Sequence, residues 1–114
     1  MRVDRDTFER LVAQAVAAVP EPFATALDEV AVVVEDRAPP EDPRLYGLYV
    51  GVPHTMPESV YGAIPPRIAI YMHPLMDDCA TAEELVEEVR ITVLHELGHH
   101  LGMDEEQLEE LGYG

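Results

Sequence analysis

One long amphipathic segment dominates the sequence, and from Thr81 to Gly102 it reads TAEELVEEVRITVLHELGHHLG. Thr81 with Glu84 three residues later forms a capping box, a common start of a helix. At 100° per residue the apolar residues that follow fall within one arc of about 120°: Val86, Val89, Val93, Leu97 and Leu101. The spacing therefore predicts a helix from Thr81 to about Leu101 with one apolar face.

An H-E-x-x-H pattern lies inside this predicted helix, from His95 to His99. Residues four apart on a helix differ by about 40° in azimuth, so the two imidazoles project side by side and can bind one metal ion. Both histidines lie roughly opposite the apolar arc, on the side that the core does not take. Glu96 lies about 100° from His95, where it can take a proton from a water molecule that the metal activates. The pattern predicts a metal site with Glu96 as general base.

The residues after the second histidine offer a third ligand. Gly102 can adopt a positive φ, end the helix and turn the chain back toward the metal. Asp104 and Glu105 are the next acidic residues, and either could complete a three-ligand site that leaves the fourth position to water. Asp104 also has the spacing of a helix N-cap, with Gln107 three residues later. We therefore predict Glu105 as the third ligand, with Asp104 as the alternative.

The rest of the sequence alternates between helical and β patterns. We expect the following elements: a helix at Asp6–Val19 ended by Pro20, a helical turn at Phe23–Asp28, a buried strand at Val30–Val34, a strand at Leu45–Val50, an irregular loop at Gly51–Pro66, a strand at Arg67–Met72 closed off by Pro74, and a last short helix from Asp104 into Gly112. This order predicts an α+β fold, with helices packed on a small three- to four-stranded sheet. At 114 residues the chain has the length of a single domain spanning residues 1–114.

Composition and charge exclude several classes of function. Asp and Glu number 23 against 7 basic residues, which gives a net charge of −16. This charge repels nucleic acids and anionic membrane surfaces and attracts cations and basic partners. The apolar runs are too short to span a bilayer. A lone cysteine, Cys79, and an N-terminus without an apolar signal region lead us to expect a cytoplasmic protein.

Three stretches carry a resemblance to a known family. They are Leu45-Tyr-Gly-Leu-Tyr-Val-Gly-Val-Pro53, Pro66-Arg-Ile-Ala-Ile-Tyr71 and Val93-Leu-His-Glu-Leu-Gly-His-His-Leu-Gly102. From about Val30 onward the chain resembles short bacterial proteins, common in actinobacteria, known as minimal zincin-like metallopeptidases. The last stretch is also similar to the Asp-zincins, in which Asp stands three residues past the glycine of HExxHxxG. Here Glu105 stands at that position.

The resemblance implies a zinc-dependent metallopeptidase, with one zinc ion per chain and a peptide or protein as substrate. In zincins an edge strand beside the motif helix binds an extended substrate, and Ile68–Tyr71 or Leu45–Val50 resembles that strand. Two other functions stay open. The chain could be a catalytically weak or inactive scaffold, acting as a homodimer or a protein-binding module, because 114 residues leave little chain for a second lobe. It could also hold a metal-free cluster of hydrogen-bonded histidines and carboxylates.

The remaining histidines, Cys79 and Tyr113 are considered for a role beside the metal site. Tyr113 is expected to fold back against the histidines and either support them or donate a hydrogen bond near the metal; the alternative is that it caps the hydrophobic core. His100 points about 100° away from His99 and is expected to be structural. His54 and His73 lie in predicted loops, and no spacing ties them to the metal site. Cys79 lacks a partner motif, so we do not expect a catalytic thiol.

Overall fold

The computed structural model describes residues 1–51 and 66–113, in which five helices pack with a small sheet. The helices are α1 (Arg5–Ala17), α2 (Phe23–Ala26), α3 (Met72–Asp78), α4 (Ala82–His100) and α5 (Glu105–Glu110). A 3₁₀ turn at Leu27–Glu29 follows α2, and the strands are β1 (Ala31–Glu35), β2 (Gly47–Val50) and β3 (Arg67–Tyr71). This is the expected α+β arrangement. Most of the predicted loop at Gly51–Pro66, and His54 with it, lies outside the described residues.

The described residues form a three-stranded sheet in the order β1-β3-β2. β1 runs parallel to β3, and β2 runs antiparallel to it. The central position of β3 explains why Ile68, Ala69 and Ile70 are fully buried. The expectation that Ile68–Tyr71 could receive a substrate strand is therefore wrong, because both edges of β3 are already paired. Among the described strands the other candidate, the strand that ends at Val50, lies at an edge.

The expected burial of the strand at Val30–Val34 is wrong. The strand forms one residue later, as β1, and Val32, Val33 and Val34 are only partly buried. Among the described strands β1 lies at an edge, so less of the protein covers it than covers β3. A run of β-branched residues is compatible with either position, so the pattern alone did not distinguish them.

The first helix begins slightly earlier than predicted. Asp4, rather than Asp6, is its N-cap, and the carboxylate of Asp4 accepts a hydrogen bond from the N–H of Thr7 at 2.8 Å. The helix ends at Ala17, before Pro20. It buries the predicted apolar stripe at positions such as Phe8, which is completely inaccessible to solvent.

The long helix α4 lies at the centre of the core. Its predicted N-terminus is confirmed, because Thr81 is the N-cap and accepts a hydrogen bond from the N–H of Glu84 at 3.1 Å. It contacts α1 on one side and the strands β2 and β3 on another. The core cluster around it combines buried residues from all these elements: Phe8, Val12, Ala15, Ile68, Ile70, Leu75, Leu85, Val89, Val93, Leu94 and Leu97.

The buried face of α4 is wider than the predicted arc. Leu101, at the end of that arc, is 38% exposed, and Val86 is only partly buried. Leu85 and Leu94, which lie outside the arc, are fully buried. A helix covered by neighbours on two sides buries more than the single stripe of a surface helix.

The prediction that Pro74 closes off the third strand is wrong. Pro74 lies in the first turn of α3. A proline is tolerated there because the first N–H groups of a helix have no acceptor within it. Leu75 and Met76 of α3 are buried in the core. The loop expected after the strand is thus a seven-residue helix.

No helix among the described residues is both long enough and apolar enough to span a bilayer. Spanning takes about 20 predominantly apolar residues. The longest described helix, α4, has 19 residues and carries charged side chains along its length.

Candidate metal centre

Two imidazoles project side by side from the last two turns of α4. The ring centroids of His95 and His99 are 4.8 Å apart, and the ring planes meet at 69°. Among the described residues, His95, Glu96 and His99 each offer one ligand atom, and these atoms all lie within 4.8 Å of one another. The three residues of the H-E-x-x-H pattern therefore form a cluster that can hold a metal ion.

Gly102 ends α4 and reverses the chain. Its φ of +83° lies in the left-handed region that glycine adopts without steric cost. The N–H of Gly102 donates to the carbonyl of His99 at 3.0 Å, and the N–H of Met103 donates to the carbonyl of Gly98 at 2.8 Å. These two bonds form a Schellman motif. The following residues thus run back beside the end of α4, which is the role that the sequence predicted for Gly102.

Glu105, the first residue of α5, lies against both imidazoles. Its Oε1 atom is 2.7 Å from Nε2 of His99 and 3.3 Å from Nε2 of His95. Both Nε2 atoms therefore face one carboxylate oxygen. The hydrogen bond with His99 is the main reason that the pKa of the Glu105 carboxyl is lowered. This carboxylate thus stays ionised at lower pH than an ordinary one, as a metal ligand must.

Asp104, the alternative third ligand, is the N-cap of α5. Its carboxylate accepts a hydrogen bond from the N–H of Gln107 at 2.9 Å, while the side chain of Gln107 accepts one from the N–H of Asp104 at 2.8 Å. These reciprocal bonds complete a capping box. The structural role that the sequence gave to Asp104 is therefore present.

A glycine in the motif lets α5 approach α4 closely, which sequence reasoning missed. A Cβ atom at Gly98 would overlap Cδ2 of Leu108. Leu108 is fully buried against this position. The absent side chain of Gly98 therefore leaves the space that Leu108 fills against α4.

A second glycine turn brings Tyr113 to the histidines. Gly112 has a φ of +84°, its N–H donates to the carbonyl of Glu109, and the N–H of Tyr113 donates to that of Leu108. This repeats the Schellman pattern at the end of α5. The carbonyl of Tyr113 then accepts a hydrogen bond from Nδ1 of His95 at 2.9 Å. That bond holds the proton on Nδ1 and leaves the Nε2 lone pair facing the cluster.

Tyr113 thus contacts the site through its backbone, while its ring packs elsewhere. The ring meets Phe23 edge-on with centroids 5.7 Å apart. Support of the histidines and packing on the core, two of the roles that the sequence left open for Tyr113, thus belong to different parts of the same residue. Gly112 was not singled out, although a glycine directly after a short capped helix is a recognisable signal of such a turn.

Glu96 is a buried carboxylate that is held by the neighbouring strand. Its exposed fraction is 6%, and its Oε1 atom accepts a hydrogen bond from the N–H of Tyr49 in β2 at 2.7 Å. Its Oε2 atom lies 3.7 Å from Nε2 of His95. Burial raises the pKa of Glu96, although the Tyr49 N–H and the two imidazoles act against this rise. A carboxylate that takes up protons readily suits a general base.

A cavity of about 480 Å³ opens beside Glu96 and His95. One wall is a single face of α4, and the other is the chain segment 42–47 that leads into β2. Its lining residues are Asp42, Arg44, Leu45, Tyr46, Gly47, Asp78, Glu88, Ile91, Thr92, His95, Glu96 and Tyr113. The sequence gave no indication of this second wall, because only the tertiary packing of β2 on α4 brings it close.

The other singled-out residues lie apart from the cluster. His100 is fully buried, with Nδ1 3.0 Å from the hydroxyl of Tyr49, which fits the structural role expected of it. His73 lies in α3 rather than in a loop, and the structure does not bring it to the other histidines. Cys79 is buried, and burial raises the pKa of its thiol, which disfavours a reactive thiolate.

Comparison with known proteins identifies the family. The family model of zincin-like metallopeptidases matches residues 27–114. The chain belongs to this family. The match includes all three strands and the whole of the candidate metal centre, so the zincin-like region is the part of the chain that carries the cluster.

A solved structure has a similar fold. A conserved hypothetical protein from Thermus thermophilus is 28% identical to this zincin-like chain, with a TM-score of 0.57, and the alignment covers 95% of this chain and 99% of that protein. No curated protein matches the chain. The comparisons therefore support the fold and the family, and the activity has to be argued from the site.

Proposed function

We propose that this protein is a zinc-dependent metallopeptidase that hydrolyses peptide bonds with Glu96 as general base. The observation that carries the proposal is the convergence of Nε2 of His95 and Nε2 of His99 on one oxygen of Glu105. These three residues would hold one zinc ion per chain. We propose Glu105 rather than Asp104 because the carboxylate of Asp104 caps α5.

The donor set fits zinc. Two imidazole nitrogens and one carboxylate oxygen are the ligands of many catalytic zinc sites, in which a fourth position is left open. The carbonyl of Tyr113 fixes the tautomer of His95 that such a site requires. When bound there, zinc would polarise the carbonyl of the scissile bond and lower the pKa of a water molecule.

Glu96 supplies the proton transfers in this proposal. The Tyr49 N–H holds its Oε1 atom, which also lies 3.6 Å from Nδ1 of His99, while Oε2 lies 3.7 Å from Nε2 of His95. At that position Glu96 can accept a proton from the attacking water and then give it to the leaving amine. Its burial raises its pKa, so the protonated form between these two steps is less costly than on an exposed carboxyl.

The edge of β2 offers a path for the substrate backbone. In this antiparallel pair the N–H of Tyr71 donates to the carbonyl of Tyr46, so the backbone groups of the next residue, Gly47, point away from β3. Gly47 also lines the cavity beside Glu96. An extended peptide can therefore pair with β2 at Gly47 and place its scissile bond at the cluster, whereas the N–H of Tyr49, on the same side of the strand, is already bonded to Glu96.

Zinc content and peptide hydrolysis test the proposal together. We expect about one zinc ion per chain in protein purified without chelators or a His tag, measured by mass spectrometry of the metal. His95→Ala should lose the zinc, whereas His73→Ala, the matched control outside the cluster, should retain it. Glu96→Gln should keep zinc and lose hydrolysis of a mixed peptide library. Equal hydrolysis by wild type and Glu96→Gln would refute the role of Glu96.

The scaffold function remains the second candidate, and one observation favours it. The apolar residues Val32, Val33 and Val34 are only partly buried on the edge strand β1, as on a surface that receives another protein. A scaffold requires neither zinc nor Glu96, and would hydrolyse no peptide in wild type or in Glu96→Gln. Its molar mass in solution, measured by light scattering, would show whether it is a dimer.

A further inference from the structure

We infer that the cavity beside Glu96 selects a positively charged side chain, arginine or lysine, on the substrate residue that flanks the scissile bond. The inference rests on the proposed peptidase function, because it assigns the substrate class of the same site. It is carried by the order of side chains along the cavity, which changes from the catalytic cluster through an apolar middle to an acidic end.

The cavity follows one face of α4. Glu88, Ile91 and His95 all line it and are separated by three and four residues, so they share a side of the helix. Glu88 precedes His95 by seven residues, which is about two helical turns or about 10 Å along the axis. The catalytic cluster and the acidic end therefore lie a long side chain apart.

The middle of the cavity suits the aliphatic part of such a side chain. Ile91 and Thr92 face it from α4, and Leu45 faces it from the opposite wall. Arginine and lysine bury their methylene stems along apolar surface while the charged head reaches polar partners. A short side chain would leave the apolar middle of the cavity empty. A long aliphatic side chain would fill it but would bring no charge to the acidic end.

The acidic end provides those partners. Asp78 and Glu88 line the cavity near the hydroxyl of Tyr46, and Asp42 also lines it, while Arg44 and His95 are the basic residues among the described lining. The hydroxyl of Tyr46 donates to Oδ2 of Asp78 at 2.7 Å and so fixes the orientation of that carboxylate. An ionised carboxylate can accept several further hydrogen bonds. The local charge thus favours a guanidinium or ammonium group and disfavours a carboxylate.

Matched peptides test the selectivity. Zinc-loaded protein is given N-acetylated peptides that differ only in one residue, which is arginine, lysine, norleucine or glutamate. We expect kcat/KM for the arginine and lysine peptides to exceed that for norleucine by about tenfold or more, and cleavage next to the varied residue. Asp78→Asn with Glu88→Gln should bring this ratio close to one. The control pair Asp77→Asn with Glu83→Gln removes the same charge from neighbouring positions outside the cavity and should keep the ratio.

Several results would overturn the inference. A ratio near one in the wild type would do so while leaving the peptidase function in place. Faster cleavage of an unacetylated norleucine peptide than of its acetylated counterpart would assign the acidic end to the free amino terminus instead. If no peptide is cleaved, the peptidase proposal fails. Calorimetric binding of the acetylated arginine and norleucine peptides then tests whether the cavity selects a positive charge. Arginine-selective binding that the double variant abolishes would uphold the inference, and equal or absent binding would refute it.

Discussion

The backbone carbonyl of Tyr113 accepts a hydrogen bond from Nδ1 of His95, eighteen residues earlier, at 2.9 Å. Two glycine turns make this contact, one at each end of α5. The first places Glu105 beside the imidazoles, and the second places a carbonyl behind one of them. The short final segment of the chain thus contributes both a candidate ligand and the group that orients another.

The first prediction follows from this backbone contact. Tyr113→Phe should leave zinc affinity unchanged, because the carbonyl remains and the ring still packs on Phe23. Gly112→Ala should weaken it, since the left-handed conformation costs a residue with a Cβ atom about 1 kcal/mol. Titration against a chromophoric chelator measures both affinities. A loss of affinity in Tyr113→Phe would instead assign a role to the hydroxyl.

The second prediction concerns the close approach of α4 and α5. Gly98→Ala should destabilise the protein by about 1–3 kcal/mol, because its Cβ would overlap Cδ2 of Leu108. Leu108→Ala should cost about 2–5 kcal/mol through the cavity that it leaves. The double variant Gly98→Ala with Leu108→Ala should lose less stability than the two single variants lose together. Urea denaturation measures these losses. Strict additivity would show that the two positions do not interact.

The third prediction concerns the pH dependence of stability without metal. Burial raises the pKa of Glu96 above its ordinary value of 4.5, so ionisation of this group opposes folding. The protonated form of Glu96 therefore favours folding. Its contribution to stability is fully present below the pKa that Glu96 has in the unfolded chain, and it is lost as the pH rises through the pKa that Glu96 has in the folded protein. Glu96→Gln, which keeps an acceptor for the Tyr49 N–H, should exceed wild type in stability at about pH 8. The gain should shrink toward acid pH.

Urea unfolding in the presence of a chelator, repeated across this range, checks the third prediction. Glu83→Gln is the control, because it removes an exposed carboxylate from the same helix. A stability difference between Glu96→Gln and wild type that does not change with pH would contradict the assigned cause.

Local sequence signals predicted the central parts of the site. The N-cap at Thr81, the spacing of His95 and His99, and the glycine at Gly102 each act within one or two helical turns, so they can be read from neighbouring residues. The capping role of Asp104 was readable for the same reason. These signals fixed the helix, its end and the turn that follows.

The features that were missed depend on contacts distant in sequence. The bond from the Tyr49 N–H to Glu96 joins residues 47 positions apart, and only the packing of β2 against α4 creates it. The partial burial of Val33 likewise depends on the position of β1 in the sheet. Pro74 is compatible with the end of a strand or the start of a helix, and the buried Leu75 and Met76 decide for the helix.

The last prediction separates Glu105 from Asp104. Glu105→Gln should remove the carboxylate that both Nε2 atoms face. Groups that only orient a metal ligand typically contribute about 10–100-fold to metal affinity, so we expect the loss of the ligand itself to lower zinc affinity by about 100-fold or more. Asp104→Asn should keep zinc affinity, since asparagine is also a good N-cap. Asp104→Ala should cost about 1 kcal/mol of stability through the lost cap, and its zinc affinity should fall less than that of Glu105→Gln. Chelator competition gives the affinities and urea unfolding the stabilities. If Asp104→Asn lost zinc while Glu105→Gln retained it, the ligand would be Asp104, and α5 would have to begin differently when metal binds.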